Sequence, residues 1–210
     1  LKKFSFFLLI TYNYIINNYL SREQINMNIE PGNLYHIFTR GNNRETVFYN
    51  HIHYLWFTGK LKKMIAQTYV NCLCYCLMPN HFHLLLWFPE NCDIYVFKNK
   101  YGTMLSSYTQ KLNYQLGRSN SIFKKRSEEK LITDSDYALT CFYYLHQNPL
   151  RAKIVNALED WHFSSYRDYA GLRKETICDQ NFAQKMLDLP STQEDFILDS
   201  YQSIPSWFKL

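Results

Sequence analysis

The sequence predicts an α+β fold: a ferredoxin-like sandwich of an antiparallel sheet with helices on one face, plus a helical C-terminal extension. Three observations predict it. Segments 51–66 and 94–116 repeat apolar residues at helical spacing. Short runs at 33–39, 69–77 and 82–88 are rich in aliphatic and aromatic residues and are bounded by turn residues. Their order is strand, helix, strand, strand, helix, followed by a further helical segment and one more short strand.

Pro31-Gly32 turns the chain into the first strand, which sets Leu34, His36 and Phe38 on one face and Tyr35, Ile37 and Thr39 on the other. Gly41-Asn42-Asn43 ends it. Ile52, Leu55, Trp56, Phe57, Leu61, Met64 and Ile65 then mark the first helix. Tyr69 to Leu77 reads as a strand, Pro79-Asn80 as a turn, and Phe82 to Phe88 as a strand too apolar to lie at a solvent edge. In the second helix Phe97, Tyr101, Met104, Leu105, Tyr108 and Leu112 form one stripe, and Gly117 is suited to end it. Asp134 or Ser135 can cap a third helix that runs to about Gln147, where Asn148-Pro149 stops it. Ile154-Val155 reads as a short strand. Beyond Gly171 the pattern is mixed. The expected organisation is an extension at 1–26, a domain at 27–171 and a tail at 172–210.

Hydrophobic residues make up 47% of the 210 positions and charged residues 20%, which describes a globular chain and excludes a disordered one. A net charge of +5 permits a nucleic-acid partner without requiring one. Cys72, Cys74 and Cys76 alternate, so a regular strand would turn all three to one face. Their spacing does not suit a zinc knuckle, and they read as small buried apolar residues of a protein in a reducing, cytoplasmic compartment. Residues 1–20 are apolar and aromatic, but Asn13, Asn17 and Asn18 interrupt a run already too short to span a bilayer. The first methionine is Met27. Residues 1–26 are therefore expected to be upstream translation or an accessory segment, with no membrane partner.

The strongest local signal is Met78-Pro79-Asn80-His81-Phe82-His83-Leu84-Leu85-Leu86. Residues two apart on a strand share a face, so His81 and His83 project side by side from an otherwise apolar strand, as a divalent-metal chelate requires. Two hydrogen-bonded histidines at a sheet end would have the same spelling. His51-Ile52-His53 also has it, but there a helix turns the two side chains apart by about 200°. From Phe97 to Ser127 there is no Asp or Glu, while Lys98, Lys100, Lys111, Arg118, Lys124, Lys125 and Arg126 are present. That segment suits a polyanion better than a peptide or a sugar, or it is a solvated helix face.

Residues 32–171 resemble the REP-associated tyrosine transposases, a branch of the single-tyrosine HUH transposases. The resemblance lies in five segments. Gly32 to His36 with Thr39 to Asn43 resembles the first strand and its loop. Met78 to Leu86 resembles the histidine–hydrophobe–histidine motif, and Tyr108-Thr109-Gln110-Lys111-Leu112-Asn113 the helix bearing the nucleophilic tyrosine. Tyr144 to Ala152 and Trp161 to Tyr166 resemble later signatures.

The resemblance implies a DNA transposase that nicks and rejoins hairpin-flanked single-stranded DNA through a 5′-phosphotyrosine. Mg²⁺ or Mn²⁺ would sit on His81 and His83, and Tyr108 would be the nucleophile, with Tyr101 and Tyr114 as fallbacks. In related transposases a polar residue one turn after the tyrosine completes the metal site. One turn after Tyr108 stands Leu112, which cannot ligate, so Asn113 is the candidate third ligand. Arg40, Lys111, Lys124, Lys125, Arg126 and Arg151 are the candidate DNA contacts. Single-stranded or hairpin DNA is the expected partner of a monomer or homodimer. The alternative is a nucleic-acid-binding module of the same fold that no longer cuts.

Overall fold

The computed structural model describes residues 27–208. The first six regular elements are β1 (Asn33–Arg40), α1 (His51–Ala66), β2 (Asn71–Met78), β3 (His81–Phe88), α2 (Ile94–Leu116) and β4 (Glu128–Ile132). The strands form one sheet of order β2-β3-β1-β4 with every pair antiparallel, the ferredoxin-like arrangement. Four helices follow: α3 (Ser135–Arg151), α4 (Tyr166–Tyr169), α5 (Gln180–Leu187) and α6 (Gln193–Ser200). The expected extension at 1–26 lies outside the described residues.

Local chemistry sets the helix ends. The side chains of Asn50, Asp93 and Asp134 accept hydrogen bonds from backbone N–H groups in the first turns of α1, α2 and α3. Gly117 closes α2 with a left-handed backbone, φ 62°.

Strand alternation divides the interior into two cores. Tyr35 and Ile37 of β1 and Phe82, Leu84, Leu86 and Phe88 of β3 face one side, where Phe57, Leu61, Phe97, Tyr101 and Tyr108 of α1 and α2 cover them. Leu34 and Leu85 face the other side, under Ala138, Cys141, Phe142 and Leu145 of α3 and residues Ala183, Leu187 and Phe196 of α5 and α6. The ferredoxin-like helix pair thus holds one face, and the C-terminal extension holds the other.

Three local expectations change. The fourth strand is Glu128–Ile132, not Ile154-Val155, which is irregular. Helix α3 does not stop at Asn148-Pro149 but runs to Arg151. Proline costs a helix one N–H donor, a loss confined here to the final turn, and the N–H groups of Ala152 and Ile154 donate to the carbonyls of Asn148 and Pro149. The three alternating cysteines do not share a face either. A register shift between Cys72 and Cys74 puts Cys72 in the first core and Cys74 in the second.

His146 of α3 lies in the second core, 1% exposed, with Nε2 2.8 Å from Ser165 Oγ. Burial lowers its pKa from 6.5 to about 3. The folded state therefore holds it neutral, and the unfolded chain binds the extra proton as pH falls through 6.5. Stability is complete above that value and declines toward the folded pKa. At pH 5 the expected loss from this one group is about 2 kcal/mol, taken from the shift by linkage. Urea unfolding at pH 7 and pH 5 should show His146→Gln losing less stability between the two pH values than the parent. Equal losses would mean that His146 carries no part of the acid sensitivity.

Candidate functional site

Alternation along β3 sends Phe82 and Leu84 into the first core and leaves His81 and His83 on the second face, at the strand's N-terminal end. Their rings are 4.9 Å apart, centroid to centroid, at 89°. Each has its Nδ1 engaged. His81 Nδ1 lies 2.6 Å from Asn80 Oδ1, and His83 Nδ1 lies 2.8 Å from Nε2 of His36 on β1. Among the described residues no protein group bonds to either Nε2. Burial, then the nearby Arg40 cation, lowers the His81 pKa to about 4. Burial, with His36, His81 and Arg40 adding to it, holds His83 well below its usual value. Both are neutral at pH 7 and can offer a lone pair to a metal.

The loop around this end is tightly made. Gly41 N–H donates to Asn80 O at 2.8 Å, and a Cβ on Gly41 would stand 2.2 Å from the Glu45 carbonyl oxygen. Only glycine allows that approach. Asn42 and Lys124 tie the segment before β4 to the end of β1 through Asn42 N–H to Ile122 O and Lys124 N–H to Arg40 O. Arg40 is exposed, with its guanidinium 5.5 Å from the Phe38 ring centroid. Beside it opens a groove of about 360 Å³, lined by Gln110, Asn113, Ser119, Asn120, Lys124 and Lys125 among others, with no carboxylate.

Helix α3 covers the histidine face. Ala138, near its start, shares a crevice with Leu34, Trp87 and Ile132 at the far end of the sheet. His146, two turns later, bonds to Ser165, which in turn bonds to the backbone of Tyr75 on β2. Tyr75 pairs with Leu84, one residue from His83. The last turns of α3 therefore run toward the histidine end. Tyr144 and Asn148 lie one turn apart there, on the line of Tyr137, whose hydroxyl bonds to Lys130 of β4. Tyr144 is half-buried, with the Arg151 guanidinium 5.3 Å from its ring centroid. The Asn148 amide nitrogen is buried without a hydrogen-bond partner.

Comparison with known proteins follows this geometry. The family model described as "Transposase IS200 like" matches residues 32–147, from β1 through the histidine pair into α3. The chain belongs to the IS200-like transposase family. A Haemophilus influenzae protein provisionally described as a REP-associated tyrosine transposase is 31% identical over 100 residues, covering 43% of this chain. The match spans 56% of that relative's length. A solved structure of a REP-associated tyrosine transposase bound to a REP hairpin superposes with a TM-score of 0.55 at 17% identity. That match covers 73% of this chain and 92% of the other, and it supports the fold assignment.

Within this family member, several expected site residues fall away from the histidines. Tyr108 is fully buried in the first core, on the opposite face of the sheet, and its hydroxyl donates to the Val47 carbonyl at 2.7 Å. Burial raises its pKa far above the usual tyrosine range. It cannot reach a phosphate on the histidine side. Tyr101, in the same core, bonds to Thr39 and Ser127, and Tyr114 is 92% exposed on α2. Asn113, also on α2, donates its Nδ2–H to Asn120 O and lines the groove, with its Oδ1 buried and unpartnered, and no hydrogen bond joins it to His81 or His83. Lys111 packs its ammonium 3.7 Å from the Trp56 ring centroid, on the α1–α2 side.

Arg126 lies 3.7 Å from Glu129 and Arg118 3.2 Å from Glu45. Arg40, Lys124, Lys125 and Arg151 are exposed cations without a carboxylate partner among the described residues. The spurious pair diverges as helical geometry requires. His53 is buried against Gln115 and the Tyr49 backbone, while His51 faces Phe163. His36, Tyr144 and Asn148 are not among the expected site residues, although each stands inside a segment that carries the family resemblance.

Tyr108→Phe tests the core assignment. It strips the Val47 carbonyl of its buried donor and should cost about 1–3 kcal/mol in chemical denaturation. No measurable loss would show that Val47 finds another partner.

Proposed function

We propose that the chain is a DNA transposase that nicks single-stranded DNA beside a hairpin and rejoins it through a tyrosine of α3. The observation that carries this reading is the neutral pair His81 and His83, each with Nδ1 held by the protein and Nε2 free, on the face covered by α3. Hairpin DNA as the substrate rests on the family and on the named relatives.

Tyr144 is the proposed nucleophile. Of the tyrosines on α3, Tyr143 is buried in the second core and the Tyr137 hydroxyl is engaged by Lys130, whereas Tyr144, whose ring packs on Phe208, is half-buried and makes no side-chain hydrogen bond to the described residues. Tyr144 lies toward the histidine end and is followed one turn later by the polar Asn148, the pattern that Tyr108 and Leu112 fail to supply. Its phenolic oxygen would bond to phosphorus as the P–O3′ bond breaks, the phenol proton passing in net terms to the 3′-hydroxyl. The product is a 5′-phosphotyrosine, and reversal onto another 3′-hydroxyl reseals the strand without a nucleotide cofactor.

The residues fit a divalent cation. His81 and His83 offer neutral imidazoles, and the Asn148 side chain, whose Nδ2 is buried without a partner, would offer its Oδ1 to the ion. Among those residues no three histidine, cysteine or carboxylate side chains cluster, so amide, water and phosphate oxygens would complete the set. Mg²⁺ or Mn²⁺ bound there would polarise the scissile phosphodiester. Arg40, Lys124, Lys125 and Arg151 would neutralise the backbone of the bound strand. A monomer suffices where Tyr144 acts on the histidine pair of its own chain, and a homodimer is required where it acts on that of a second copy. Free, buried cysteines suit a reducing cytoplasm.

A 3′-labelled hairpin oligonucleotide incubated with Mg²⁺ should yield a covalent adduct on a denaturing gel. Tyr144→Phe should abolish both adduct and nick, while Tyr108→Phe, Tyr137→Phe and Tyr143→Phe keep them. Tryptic mapping should find the DNA on the peptide 131–151. An adduct on a peptide from α2 would overturn the Tyr144 assignment. Failure of the parent to form any adduct, with hairpin binding intact, would favour a non-cutting DNA-binding module.

Calorimetry separates the metal site from the chemistry. His81→Ala and His83→Ala should each weaken Mn²⁺ binding at least tenfold, about 1.4 kcal/mol. His51→Ala should leave it unchanged, and equal loss from His51→Ala would refute the strand-pair chelate.

A further inference from the structure

We propose that His36 is a positioning residue that accepts a hydrogen bond from His83 Nδ1 and so presents the His83 Nε2 lone pair to the metal. This rests on the reading of His81 and His83 as metal ligands. Its basis is a contact between two strands that no sequence motif announces.

His36 stands on β1 opposite Leu85, while His83 faces Phe38, so the two imidazoles are diagonal neighbours on one sheet face. Nε2 of His36 lies 2.8 Å from Nδ1 of His83. The rings lie 5.0 Å apart at 18°, and Phe38 stacks on His36 at 5.1 Å and 17°. His36 is 0% exposed and His83 6%. The His83 ring is therefore clamped in position and tilt before any cation arrives.

Two neutral imidazoles share one proton in such a bond, which leaves two arrangements. If His36 Nε2–H donates, His83 carries its own proton on Nε2 and cannot ligate through that atom. If His83 Nδ1–H donates, its Nε2 lone pair is free. The second arrangement is the ligating one, and it puts the His36 proton on its Nδ1, which is buried without a partner. His81 has no such choice. Asn80 donates its Nδ2–H to the Arg44 carbonyl, so its Oδ1 faces His81 and can only accept. The His81 proton is thereby fixed on Nδ1. The site combines one histidine locked by an amide with one set by a second histidine, an outer-shell device that orients a ligand and raises its basicity.

The test uses the full-length protein without DNA. His36→Phe keeps the ring and its stacking but removes the acceptor, and it should weaken Mn²⁺ binding tenfold or more by calorimetry or electron paramagnetic resonance. His36→Gln, whose amide oxygen can occupy the Nε2 position, should stay within about threefold of the parent, since a restored acceptor is all that the proposal requires. A purely structural role would instead make both variants lose stability without this split in affinity. Parent-like Mn²⁺ binding by His36→Phe, with His83→Ala binding lost, overturns the proposal alone. Unchanged binding in His81→Ala and His83→Ala overturns the metal reading, and the proposal falls with it.

Should His36→Phe fail to fold, the parent still decides. Long-range ¹⁵N–¹H spectra with Mg²⁺ should show His83 protonated on Nδ1 and bare on Nε2, and the reverse tautomer would refute the inference.

Discussion

The two-residue period of β3 is the constraint on which the rest depends. Phe82, Leu84, Leu86 and Phe88 are all 0% exposed and anchor the first core. Their alternation leaves His81 and His83 no choice of face. A slip of one residue would drive two imidazoles into the core and four large apolar side chains out of it, so the hydrophobic pattern itself protects the register. The polar pair is held in place by the apolar burial behind it.

That division also decides which helix can act on the histidines. Helices α1 and α2 belong to the face that β3 fills with phenylalanine and leucine, so nothing on their inner stripes reaches the other side. Helix α3 enters where β4 ends and lies across the second face. Residues 172–208 extend the same core, since Ala183, Leu187 and Phe196 pack with Phe142 and Leu145. The extension buttresses α3 and so fixes where its last turns stand relative to β3.

Much of this was legible in the sequence because it follows from period. The bounds of α1 and α2, the strand pair on either side of Pro79-Asn80 and the divergence of His51 from His53 all come from spacing. What spacing could not supply was partnership. Glu128-Glu129-Lys130-Leu131-Ile132 is an edge strand that buries only Ile132, so it shows no apolar alternation to read. The bulge that separates Cys72 from Cys74 adds a residue that no local pattern marks. Tyr108 shared the stripe of Phe97, Met104 and Leu112, and that stripe was already the mark of a core position. Leu112, one turn on, also lacks the polar group that a metal site would need.

His36 shows the limit in its sharpest form. In β1 it is the one polar residue on the face of Leu34 and Phe38, and nothing in that run says what it pairs with. Its meaning comes from His83, 47 positions away, through a diagonal contact that exists only once β1 and β3 are in register. Burying an imidazole away from water is costly unless its nitrogens are paired. Here the partner is another buried imidazole, and two nitrogens of the pair, His36 Nδ1 and His83 Nε2, are still without a protein partner among the described residues. A fold selected for stability alone would replace both rings with apolar side chains, as a well-packed core tolerates. Their retention against the apolar surroundings of Leu85 and Phe38 is accounted for if the unspent lone pair at His83 has a cation to bind, because the cation would offset the desolvation that the pair imposes on the second face.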